Sequence, residues 1–128
     1  MKANRTRLPN RRPSHIETLE MAGQAFTACV GFDPETGQPR ELFLTAGQEG
    51  SMLNALLADA AVMVSIALQH GIPAATLAKS IGRLPAGPVT PADLEGSESG
   101  RVPASPLGAA LDLLCSFERG PVKANRIR

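Results

Sequence analysis

Residues 51–70, SMLNALLADAAVMVSIALQH, make a run of about five and a half helical turns without an internal Gly or Pro. Leu53, Leu57, Ala60, Val64 and Leu68 recur at three- and four-residue intervals, and Leu56 and Ala67 widen that face. This is the spacing of a helix packed on a core. Val62, Met63 and Ile66 lie off the stripe, which leaves only Ser51, Asn54, Ala58, Ser65 and Gln69 as small or polar groups for water. The sequence therefore predicts a helix covered on two sides, by a sheet and by another helix or a second subunit. A membrane span is the less economical reading, because Asn54, Asp59 and Ser65 interrupt the apolar run and no aromatic belt flanks it.

A sheet to cover is present upstream. Residues 16–21 and 24–32 read as two strands around Ala22-Gly23, a tight turn. Phe26, Ala28, Val30 and Phe32 share one face of the second strand, while Thr27 and Cys29 take the other. After a loop over residues 33–39, residues 41–45 supply a third strand with Leu42 and Leu44 opposite Phe43. Connections this short exclude parallel crossovers, so the expected fold class is α+β, a three-stranded antiparallel meander under the long helix.

Downstream, His70-Gly71 ends the long helix and Pro73 opens a short one over residues 74–81, with Leu77 and Ile81 inward. The helix–turn–helix outline offers DNA only Lys79, so it reads as packing geometry. Residues 83–104 hold Pro85, Gly87, Pro88, Pro91, Gly96, Gly100 and Pro103 around Asp93, Glu95 and Glu98, the composition of a mobile acidic loop. Ser105 as N-cap and Pro106 at the first position then open a C-terminal helix with Leu107, Ala110, Leu111 and Leu114 on its apolar face. The division expected is a basic arm at 1–14, one domain at 15–119 and a basic tail at 120–128.

Charge marks these ends. Residues 1–12 carry five basic groups and residues 119–128 carry four, with no acid in either, while the intervening stretch has four basic groups and all twelve acids. Arg5, Arg7, Arg11 and Arg12 at one end, and Lys123, Arg126 and Arg128 at the other, are thus candidate contacts to a protein partner or to phosphate. The tetrapeptide at residues 2–5 recurs at 123–126, so the two ends suit equivalent surfaces of a symmetric homodimer. Gly47, Gly50 and Ser51, just before the long helix, have two readings: a turn with Ser51 as its cap, or an anion-binding turn at the helix N-terminus. Glu49 and the lack of a GxxxxGK[ST] sequence weigh against phosphate.

The chemistry available is sparse. Cys29 and Cys115 make neither a disulfide framework nor a thiolate metal site. His15, His70 and Asp59 supply no nucleophile–base–acid constellation, although an apolar setting for Asp59 could raise its pKa. With no Trp or Tyr, the four Phe are the only rings available for base stacking, and each sits where a core needs bulk. Neither catalytic nor metal or cofactor ligands emerge for an isolated chain. The basic N-terminal stretch lacks the apolar run of a secretory signal, so a cytoplasmic location is expected.

RLPNRR at residues 7–12, ELFLTAGQEGS at 41–51 and SIALQHGIP at 65–73 resemble the C-terminal region of vitamin B12-dependent, class II ribonucleotide reductases, a region overlapping the TSCPD domain family. The resemblance covers residues 7–83, and PASPLGAALDLL at 103–114 is similar to the end of the same domain. It implies an appendage shaped to dock near a nucleotide-processing enzyme. In the full-length enzymes the adenosylcobalamin site and the radical-forming and substrate-reducing cysteines belong to a large barrel absent from this sequence. Ala104-Ser105-Pro106 stands nearest the place of the TSCPD letters, and no terminal CxxC occurs. What carries over is a domain type, without an activity.

The expected function is accordingly a non-catalytic accessory or regulatory domain that binds a ribonucleotide-reductase-like protein or its own twin. The alternative is a nucleic-acid or nucleotide-binding module using the basic arms. A weaker one is a component acting in trans in ribonucleotide reduction through Cys29 or Cys115.

Overall fold

The computed structural model describes residues 12–21, 23–46, 50–85 and 101–119. Strands β1 (Ser14–Met21), β2 (Gln24–Phe32) and β3 (Pro39–Ala46) form an antiparallel sheet in that order. Register runs Met21 opposite Gln24 at the first turn, where Gly23 takes φ +79°, a conformation that favours Gly. Across the sheet, Ile16 pairs with Cys29 and Cys29 with Phe43, so one row of side chains crosses all three strands on the outer face. The inner face carries Phe26, Ala28, Val30, Leu42, Leu44 and Ala46, all buried. The α+β meander expected from the alternation is the fold found, with β1 and β3 somewhat longer at their starts.

Helix α1 (Met52–Gln69) follows. Ser51 caps it, its Oγ accepting from Asn54 N at 3.1 Å. At the other end Gly71, φ +90°, closes a Schellman turn in which Gly71 N donates to Leu68 O and Ile72 N to Ala67 O, both at 3.0 Å. Leu57, Ala61, Val64 and Leu68 pack on the sheet.

The inside of this helix differs from the expected one in a physically informative way. Ser65 and Gln69 are buried rather than solvated. Strand β3 is a sheet edge, and its outward backbone groups need partners. Ser65 Oγ accepts from Leu42 N at 2.8 Å and donates to Leu42 O at 3.1 Å. Gln69 Nε2 donates to Arg40 O at 3.1 Å, and Asn54 Oδ1 accepts from Ala46 N at 3.0 Å. The order of these contacts sets α1 antiparallel to β3, with a polar stripe against the strand edge. Leu53 and Leu56, assigned to the core face by periodicity, are instead exposed.

After α1 the chain forms α2 (Ala74–Ala78), shorter than the pattern suggests. Its first turn is closed from far along the sequence: Ala74 N donates to Glu118 Oε2 at 2.7 Å. Residues 83–104 are not loop throughout, since β4 (Arg83–Pro85) pairs antiparallel with β5 (Arg101–Pro103). The interior of that stretch, 86–100, lies outside the described residues, and with it the expected mobility. Helix α3 (Pro106–Arg119) begins at the expected cap, Gly108 N donating to Ser105 Oγ at 3.1 Å. Ala110, Leu111 and Leu114 complete the core, and a two-pronged Arg83–Asp112 pair at 3.0 and 3.2 Å ties β4 to α3. Gly108 admits close packing, because a Cβ there would stand 3.0 Å from Pro103 Cβ and 3.2 Å from Ile81 Cγ2.

Candidate functional site

With the polar stripe of α1 turned onto β3, the opposite side of the helix is apolar and open. Met52 is 78%, Leu56 60%, Val62 54% and Met63 71% exposed, with Leu53 and Ile66 at the margins of the same surface. Side chains at 52, 56, 59, 63, 66 and 70 alternate four- and three-residue steps, so they form one straight seam about 27 Å long. Asp59, exposed, is the one acid in it. This is the second covered side that the sequence calls for, and the described part of the chain supplies no cover for it. By length and composition alone α1 could also cross a membrane, its mean hydropathy being 1.6. The inner face speaks for a domain helix, because Asn54, Ser65 and Gln69 are engaged with the sheet edge.

The outer sheet face offers a smaller feature. Ile16 and Phe43 are exposed on either side of half-buried Cys29, and a shallow hollow of about 260 Å³ is lined by Arg12, Ser14, Cys29, Gly31, Glu41 and Phe43. Arg12 lies across its rim, Nε and Nη2 at 2.8 and 2.7 Å from Glu41 Oε1. Gly31 makes room for the pair, since a Cβ there would fall 2.6 Å from that oxygen. Two positions that carry the family resemblance, Arg12 and Glu41, are thereby brought together. A second hollow of about 240 Å³ lies by Ala25, Phe26, Thr27, Thr45 and Ala46. Both fall below the roughly 300–1,000 Å³ typical of small-molecule sites, and a corrinoid is larger than the ligands such sites hold. These hollows do not fit adenosylcobalamin.

The other sequence-derived candidates divide by position. Arg5, Arg7, Arg11, Lys123, Arg126, Arg128 and Gly47 lie outside the described residues. Gly50 takes φ +86° and Ser51 Oγ is engaged as the helix cap. His15 Nε2 stands 2.9 Å from Glu17 Oε1 and its ring meets Phe117 edge-on at 5.1 Å. His70 Nδ1 bonds its own helix at Ile66 O, 3.0 Å away. Among the described residues no group of three His, Cys, Asp or Glu could hold a metal ion. Periodicity flagged Val62, Met63 and Ile66 as needing cover, but it missed Met52 and Leu56. The signal that finds those two is the 4-3 spacing of the seam, read independently of the core face.

Part of the chain is similar in sequence to known proteins. Over 72 residues the chain is 38% identical to a vitamin B12-dependent ribonucleotide reductase of Rhodopirellula baltica (strain DSM 10527 / NCIMB 13988 / SH1). The aligned part is 56% of this chain and 7% of that protein, so the chain spans a small fraction of the relative's length. No solved structure matches significantly. The TSCPD domain model matches residues 2–111, taking in the meander, the long helix and the start of the last helix. The chain therefore belongs to the TSCPD domain family.

Proposed function

We propose that this chain is a non-catalytic accessory or regulatory domain that docks on a protein partner through the open face of α1. The observation that carries the reading is the orientation of that helix: its polar stripe satisfies a strand edge, and Met52, Leu56, Val62 and Met63 face outward. A contiguous apolar patch of this kind marks an interaction surface. Similarity to part of a ribonucleotide reductase supports a reductase-like protein as partner, with the chemistry and its adenosylcobalamin belonging to the larger chain. The basic groups toward the two ends would steer association rather than supply its buried core.

Affinity capture from source cells, followed by a salt wash, tests this. Wild-type chain should retain a protein partner through moderate salt, and Met63→Lys should reduce retention by about tenfold or more, the cost of placing a charge in an apolar interface. Retention unaffected by Met63→Lys would remove the proposed face. Recovery of nucleic acid alone, released by salt, would favour phosphate binding by the arms instead.

A further inference from the structure

The seam on α1 also says what kind of partner it takes, provided that the helix face is a docking surface. Its 4-3 spacing over residues 52–70 is that of one helix packing along another, so the natural complement is an amphipathic helix. Asp59 lies midway between Met52 and Ile66. Any symmetric pairing that overlaps the whole seam then places the two Asp59 residues at one level in a parallel pair, and only about 6 Å apart along the axis in an antiparallel one. Two like charges enclosed between apolar side chains oppose association, and an aspartate is too short to reach out to water. A second copy is thus a poor occupant. Residues 1–11, 86–100 and 120–128 are no better, since they hold few large apolar side chains to set against Met52, Leu56, Val62 and Met63.

We infer that the seam receives a single amphipathic helix from a different polypeptide, carrying a Lys or Arg at the seam position that meets Asp59. Such a base converts the central acid from a penalty into a register mark, as a lone polar seam residue does in helical pairs. Specificity follows from the same group: apolar helices with a central acid are rejected.

Two helical peptides of about three heptads, identical except for Lys or Glu at the central seam position, provide the test. The Lys peptide should bind the wild-type chain about tenfold or more tighter than the Glu peptide, and Asp59→Asn should collapse that ratio. In sedimentation the wild-type chain should remain monomeric and Asp59→Leu should dimerise. Asp59 is exposed, so both variants should keep the wild-type circular dichroism and melting profile. Equal binding of the two peptides, binding of neither, a monomeric Asp59→Leu, or a wild-type dimer dispersed by Met63→Lys would each overturn the inference. These outcomes are separate from the capture experiment, which reads retention of a natural partner whatever its charge.

Discussion

Leu68→Ala is expected to lower the unfolding free energy by about 2–5 kcal/mol, whereas Leu56→Ala should change it by less than about 0.5 kcal/mol. The two substitutions remove the same atoms from the same helix. Leu68 is wholly buried against the sheet, and its truncation forfeits transfer energy and leaves a cavity that the surrounding core closes only in part. Leu56 is 60% exposed on the opposite side, so little packing is lost in the free chain. Urea or guanidinium unfolding followed by circular dichroism measures both, and midpoints should separate while slopes stay alike. Equal losses would mean that Leu56 is also buried, as simple periodicity suggests.

The second large effect concerns a polar group. Ser65→Ala is expected to destabilise by about 2–4 kcal/mol, because it strands a buried N–H and a buried carbonyl together, each worth about 1–3 kcal/mol unpaired. Both belong to Leu42, whose backbone at the β3 edge depends on the Ser65 hydroxyl. Ser116→Ala serves as the control: that hydroxyl is exposed and bonds within its own helix, to Leu113 O at 2.7 Å, so its loss should stay within about 0.5 kcal/mol. Thermal melting of the two variants side by side checks the contrast.

Ser65 also explains where reading the sequence succeeds and where it stops. The elements themselves were legible because their signals are local: alternation in Phe26, Ala28 and Val30, a capping Ser51, a positive-φ Gly71, and Ser105-Pro106 opening the last helix. The inside of α1 was not. Periodicity treats polar side chains as facing water, and here the polar side chains face a strand edge that competes for them as effectively as water does. Asn54, Ser65 and Gln69 thus point to the sheet's flank, and Leu56 and Met63 are turned outward. The β4–β5 pair escaped notice because three-residue strands among Gly and Pro carry no period. Glu118 bonding Ala74, and Arg83 bonding Asp112, join segments whose separation leaves no mark in either one. Of the candidate site, Met63 and Ile66 were legible as surplus apolar groups, and Arg12 as a charge, though not that it would lie on Glu41.

Methionine oxidation by peroxide, read residue by residue in the mass spectrometer, tests the outward face of α1 most directly, for the chain alone and for the chain saturated with its captured partner. Met52 and Met63 should oxidise readily in the free chain and faster than Met21, which packs against the core, and the partner should slow both by about tenfold or more. Met63 protected in the dilute free chain, or equally reactive with the partner bound, would contradict an α1 that holds its polar stripe on the sheet and keeps its apolar seam for another protein.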